Sequence, residues 1–294
     1  MDLITLRAGG AGLVLAPAAG GSVVRYWIDR GAATWDVLRP WPVPRFEQVF
    51  ESAAFALVPY SNRIRAGRFS FQGRDVALPL NRPPERHSIH GLGWQTAWQT
   101  LAVREHEAIL EFQHAGGPWP WAFLAAQHFT LGPASLSVVL TLRNESDTPM
   151  PAGLGWHPYF PRTPRATLVA NVRAMWLTDD EVMPTTLTPS RAEADLSRGV
   201  KVDAVGLDNC FVGWSRRAAI EWPEPGMRLV LAAEAPLDFL VVYTPPGRPF
   251  FCVEPVSHVT DAFNLAAAGR TDTGARTLAP GETWRAVLTL TVEH

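Results

Sequence analysis

Apolar and polar residues alternate with a period of two along much of this chain. Leu136, Val138, Leu140 and Leu142 are separated by Ser137, Val139 and Thr141, and the run stops at Asn144-Glu145-Ser146-Asp147. Trp284, Ala286, Leu288, Leu290 and Val292 repeat the pattern near the C-terminal end, with Arg285, Thr289 and Thr291 between them. Shorter runs occupy 22–27, 108–112, 229–232 and 237–243. Successive side chains of a strand point to opposite faces, so this alternation predicts half-buried β-strands. Gly, Pro, Asn or Asp bounds each run, as turns between strands require. The 26 Pro and 23 Gly are spread throughout and argue against long helices; short helical turns are expected only at 192–198 and 260–268. Many short strands joined by turns predict an all-β fold, a sandwich or a barrel. No repeat of fixed period and no Ser/Gly linker divides the chain, so residues 1–294 are expected to form a single domain. Long loops are expected at 79–90, 116–121, 178–199 and 270–282, and loops on a rigid scaffold are where binding residues concentrate.

Composition narrows the function. With 47% hydrophobic and 18% charged residues the chain is globular. A net charge of -2 without a basic block speaks against nucleic acid, whose phosphates demand a clustered positive surface. Cys210 and Cys252 are too few for a disulfide framework and form no CxxC pair. The start, Met1-Asp2-Leu3-Ile4, lacks a positive n-region, and no apolar run is long enough to span a bilayer. A cytoplasmic protein without a membrane partner is expected. The 12 Trp and 14 Phe suit sugar faces, but filling a wide β core is the favoured explanation on composition alone.

Glu254 breaks the apolar run Phe250-Phe251-Cys252-Val253-Glu254-Pro255. Glu is seldom buried unless paired, and burial of its charge raises its pKa. A carboxylate placed this way suits a general base; an ion pair to an Arg is the structural alternative. Four more clusters stand out. Asn62-Arg63 close the buried run Phe55-Ala56-Leu57-Val58, where a guanidinium fork could hold hydroxyls or an acid. His90 precedes Gly91-Leu92-Gly93, whose glycines allow close backbone approach. His157 lies between Trp156 and Pro158-Tyr159-Phe160, an aromatic setting for a group that titrates near roughly pH 6.5. Asp208-Asn209 opens a strand and alone would mark a turn.

Taken together, these clusters resemble the aldose 1-epimerase (galactose mutarotase) family. The resemblance rests on Asn62-Arg63-Ile64 with Gly67 and Phe69, His90-Gly91, Trp156-His157-Pro158-Tyr159-Phe160, Asp208-Asn209 and Cys252-Val253-Glu254-Pro255, in the family's order. It implies a large twisted antiparallel β-sandwich with an open cleft for a small-molecule sugar. It also implies Glu254 as catalytic base, His157 as catalytic acid and His90 as a second imidazole near the ring oxygen. Arg63 and Asp208 would hold hydroxyls, with Asn62 in support. The reaction implied is anomer interconversion by ring opening and reclosure, with a His near carboxylates held protonated, and it needs neither cofactor nor metal.

Three alternatives accompany this reading. A hexose-phosphate epimerase would use extra cations among Arg63, Arg65, Arg68, Arg82 and Arg86, although 65 and 68 read as exposed positions. A non-catalytic carbohydrate-binding protein would retain the scaffold without turnover. A glycoside hydrolase would need two flanking carboxylates, such as Asp208 and Glu254, and leaves the two His unexplained. His90, His157 and His258 show no metal-ligand spacing. Trp94, Trp98, Tyr159 and Phe211 are candidate cleft walls; His87 and His258 lie close in sequence to candidate site residues and could support them, but exposed or satisfied polar residues are the favoured reading. Both a monomer and a homodimer fit the chain.

Overall fold

Two large antiparallel sheets pack through a shared apolar core in the computed structural model, which describes residues 2–31, 33–190 and 194–293. The nine-stranded sheet runs from Gln99–Arg104 through Glu107–His114, Phe123–Gly132, Ser135–Asn144, Thr283–Glu293, Met227–Ala233, Arg217–Trp222 and Thr167–Ala170 to Val200–Lys201. Its strands carry the alternation visible in the sequence. Leu136, Val138, Leu140 and Leu142 are buried, and Leu140 sits opposite Ala286 on Thr283–Glu293. The intervening residues of the pair face outward, so one face meets water and the other the core.

The eleven-stranded sheet is built differently. Its path runs Ile4–Ala8, Ala11–Ala16, Ser22–Arg30, Ala54–Leu57, Gly155–Pro161, Phe250–Val256, Phe239–Tyr243, Asp208–Val212, Ala174–Thr178 and Pro184–Pro189, with Ala33–Asp36 paired on Ser22–Arg30. The three central strands Ala54–Leu57, Gly155–Pro161 and Phe250–Val256 are buried on both faces, almost without interruption. Ala54, Ala56, Trp156, Phe160, Phe251 and Val253 face the inter-sheet core. Phe55, Tyr159 and Cys252 face the other way, into a second apolar cluster that includes Trp41, Val49 and Trp94. A strand covered twice loses its polar face, which is why these segments read as continuous apolar runs rather than alternations.

Three expected loops contain strands. Pro184–Pro189 lies within 178–199, Ser88–Ile89 within 79–90 and Arg276–Leu278 within 270–282. Each is short, and Pro184–Pro189 is an edge strand with Pro at both ends, where a missing N–H is tolerated. The helix expected at 260–268 is present as Ala262–Ala267. Of the turn expected at 192–198, Leu196–Arg198 form a 3-10 turn, while residues 192 and 193 lie outside the described ones. No helix among the described residues is long and apolar enough to cross a membrane.

Candidate active site

The register of the central strands brings the first two candidates together. Gly155 pairs with Val256 and Tyr159 with Cys252, so His157 falls directly across from Glu254. His157 Nε2 lies 3.4 Å from Glu254 Oε1. Glu254 is 2% exposed and His157 5%. The same parity places both on the outer face of the sheet, beside Tyr159 and Cys252, where they line a cleft of about 180 Å³. The Tyr159 ring stacks on His157 at 4.5 Å and Phe55 flanks it at 4.8 Å. Among the described residues Glu254 accepts no hydrogen bond and pairs with no Arg, so the structural ion pair that could have explained its burial is not formed. His157 Nδ1 likewise has no partner.

Burial governs the charge of this pair. It pushes the Glu254 carboxyl well above its usual range, an effect that nearby Asp208 reinforces and Arg63 opposes. Burial also pushes His157 down to about 3, helped by the positive charges of Arg39 and Arg82. Burial thus works against the expectation that carboxylates hold this His protonated. Desolvation outweighs the attraction of one neighbouring carboxyl, and both groups favour their neutral forms.

The other four candidates also line the cleft. His90 sits in the left-handed region at φ 61°, and its ring meets that of His157 edge-on at 5.1 Å. Its Nδ1 accepts the Asn62 backbone N–H at 3.1 Å, which leaves Nε2 as the protonated nitrogen of the neutral ring. Burial, then His157 and Arg63, hold His90 well below its ordinary value. The adjoining Gly91 is required by close approach: a Cβ there would stand 2.2 Å from the Val58 carbonyl oxygen, and its φ is +70°. Asn62 Oδ1 accepts the Arg63 backbone N–H at 2.9 Å. The Arg63 fork donates to both oxygens of Glu85, at 3.3 and 3.2 Å, and lies 3.9 Å from Asp208 Oδ2. Asp208 is the first residue of its strand, opposite Tyr243, and burial raises its pKa against the pull of Arg63.

Several cleft neighbours were not singled out by the sequence. Glu85 anchors Arg63, and Phe50, Tyr243, Arg248 and Phe250 complete the cleft wall, with Arg82, one of the candidate cations, 4.0 Å over the Phe50 ring. Tyr159 lines the cleft as expected, but Trp94, Trp98 and Phe211 do not; they are buried in the apolar clusters, where flat rings fill space between strands and covering loops. His258 and His87 are more than satisfied surface groups. His258 Nε2 accepts the Ser61 N–H at 3.0 Å while its Nδ1–H donates to the Val259 carbonyl at 2.7 Å. His87 Nδ1 accepts the Ala66 N–H at 3.0 Å. Three imidazoles thus hold the backbone on which Asn62 and Arg63 sit. Arg65 and Arg68 are exposed and outside the cleft, as their sequence context indicated.

The chain belongs to the aldose 1-epimerase family, whose pattern matches residues 2–291. It is 30% identical over 282 residues to the uncharacterized protein YphB of Escherichia coli (strain K12), covering 93% of each chain. It is 25% identical over 222 residues to the uncharacterized protein YihR of the same organism, covering 71% of this chain and 70% of that one. A solved Escherichia coli K12 structure carrying a provisional aldose 1-epimerase name superposes with a TM-score of 0.90 at 28% identity over 99% of both chains. A galactose mutarotase-like protein from Clostridium acetobutylicum gives 0.85 at 22% identity, over 99% of this chain and 95% of that one. The fold is accordingly that of the galactose mutarotase-like β-sandwiches, and a small carbohydrate is the ligand class of the family.

Proposed function

We propose that this chain, acting as a single domain, interconverts the α- and β-anomers of a free aldose. The observation that carries the reading is the Glu254–His157 pair, opposed across two central strands, buried, and facing a cleft without other hydrogen-bonding partners. One proton can rest on either member of the pair: carboxyl with neutral imidazole, or carboxylate with imidazolium. Burial favours the first arrangement. A bound sugar supplies hydroxyl donors to the carboxylate, which lowers its pKa and favours the second.

From that state Glu254 takes the O1–H proton, the C1–O5 bond breaks, and O5 receives the His157 proton. The open aldehyde turns about C1–C2 and closes on its other face with the proton transfers reversed. His90 presents an N–H toward the cleft and stabilises the negative charge that develops on O5. Arg63 and Asp208 hold hydroxyls, and Asn62 fixes the Arg63 backbone. No step calls for a metal or a cofactor. Acid–base help of this kind contributes about 10²–10⁴-fold, ample for a reaction that runs unaided in water.

The test is polarimetry or NMR of freshly dissolved α-D-glucose and α-D-galactose with wild type and Glu254→Gln. Acceleration by wild type that is lost in the variant is expected. Binding without acceleration would instead favour a carbohydrate-binding protein without turnover. One observation favours a second substrate class, a phosphorylated hexose: Arg82 and Arg248 both line the cleft, and Arg248 forms no ion pair among the described residues. Acceleration confined to hexose phosphates, lost on Arg248→Ala, would select that class.

A further inference from the structure

Cys252 has no part in the chemistry described above, yet it stands beside the two groups that perform it. It is two residues from Glu254 on the same strand, hence on the same face, and opposite Tyr159 on the strand of His157. One ligand atom each from His157, Cys252 and Glu254 lies within 4.8 Å of the others, and all three residues are buried. Among the described residues neither the Cys252 thiol nor the Glu254 carboxylate has a hydrogen-bond partner. Three polar side chains therefore converge, and the 3.4 Å approach of His157 to Glu254 is the one polar pairing among them.

We propose that His157, Cys252 and Glu254 form a site for a thiophilic divalent cation, Zn²⁺ by its ligand chemistry, which blocks the acid–base pair while bound. One sulfur, one nitrogen and one oxygen are the donor types of zinc sites; calcium and magnesium require more oxygens than this trio offers. Charge balance points the same way: a thiolate and a carboxylate neutralise a divalent ion, so the buried assembly carries no net charge. Bonds of about 2.0–2.3 Å set tetrahedral ligand atoms about 3.3–3.8 Å apart, so the trio needs to contract by roughly 1–1.5 Å at most. His157 and Glu254 line the cleft, which leaves the fourth position open to solvent or to a sugar hydroxyl. Binding releases the thiol proton and, where Glu254 carries one, its carboxyl proton as well.

The binding site rests on geometry alone; the blocking of catalysis rests also on the epimerase reading, and the experiment separates the two. Co²⁺ added to the apo protein is expected to give the near-ultraviolet sulfur-to-cobalt charge-transfer band of a thiolate ligand, displaced by Zn²⁺ and abolished by EDTA. Cys252→Ser is expected to lose the band and at least about 100-fold in Zn²⁺ affinity, since loss of supporting groups alone costs 10–100-fold. Cys210→Ser, which leaves the trio intact, is expected to keep both. Absence of the band in wild type, or its survival in Cys252→Ser, overturns the site. His157→Gln provides an independent arm should Cys252→Ser fail to fold: it must weaken Zn²⁺ by a similar factor, and unchanged affinity overturns the site. In the anomer assay, Zn²⁺ is expected to inhibit wild type and to inhibit Cys252→Ser far less. Tight cobalt and zinc binding with undiminished turnover would retain the site and overturn its blocking role, whereas absence of turnover in metal-free protein would count against the epimerase reading instead.

Discussion

Segment 61–66, buried from Ser61 to Ile64, and the buried Glu254–His157 pair both place polar groups out of water, but their hydrogen bonding is opposite. In the first, the backbone N–H groups of Ser61, Asn62 and Ala66 are each taken by an imidazole, and Asn62 caps the Arg63 N–H. In the second, a carboxylate and an imidazole face each other at 3.4 Å with no further partners. A buried polar group whose bonds are all made is scaffolding, costly to disturb. One whose bonds are unmade is a standing cost to the fold, offset only when a ligand arrives. Histidine serves both purposes here: both nitrogens of His258 are bonded, whereas Nδ1 of His157 has no partner, and both residues are buried.

This contrast can be broken most visibly at the pair. Glu254→Gln and His157→Gln are each expected to lower the anomer-interconversion rate by about 10²–10⁴-fold, read by polarimetry, while leaving thermal stability unchanged or higher near neutral pH. A variant that loses stability rather than rate would place the pair among the scaffolding groups. The reverse balance is expected at His258→Ala. It strands the Ser61 N–H, at a cost of about 1–3 kcal/mol, and leaves a cavity besides; urea unfolding should show the loss with or without sugar present.

The pH dependence of stability sharpens the same distinction, because the groups have opposite signs. Burial pushes His258 down to about 4 from 6.5. The unfolded chain then binds that proton more readily, so the contribution of His258 is complete above its unfolded value and is lost as pH falls from there toward 4. His157 acts in the same direction toward about 3. Glu254 is raised above 4.5, so its contribution is complete below that value and declines as pH climbs toward the folded pKa. Glu254→Gln should therefore gain stability over wild type as pH rises, by up to about 1.4 kcal/mol per unit. Urea titrations from about pH 5 to about pH 8 measure the gap; a gap independent of pH contradicts the assignment. The smallest effect is expected at the surface: Arg86→Ala breaks an ion pair to Glu181 whose Arg is largely exposed, and should cost no more than about 1 kcal/mol.

The fold class was legible because the nine-stranded sheet has one wet face, and a wet face leaves alternation in the sequence. The short strands within the expected loops left none: Ser88–Ile89 and Arg276–Leu278 are too brief to show a period. Glu254 and His157 could be singled out for the same reason that their pKa values are displaced, since each interrupts an apolar run. Glu85, Phe50 and Arg248 carried no such signal. They sit in polar, Pro-rich or Gly-rich stretches where one more charge or ring is unremarked, and only the fold turns them toward Arg63 and the cleft. The protonation of His157 could not be read from its neighbours in the chain, because the burial that lowers its pKa, and the positive charges of Arg39 and Arg82 that add to it, come from residues distant in sequence.

Gly155–Pro161 and Phe250–Val256 are adjacent in the middle of the longest sheet, with four further strands of the hydrogen-bonded path on either side. Opening at the ends of a protein costs less free energy than opening at its centre. Heat or denaturant will therefore fray the outer strands while the paired residues keep their spacing, and separating them requires the whole sheet to come apart. Turnover, once assayed, should report global unfolding: its loss on heating should coincide with the cooperative transition rather than precede it.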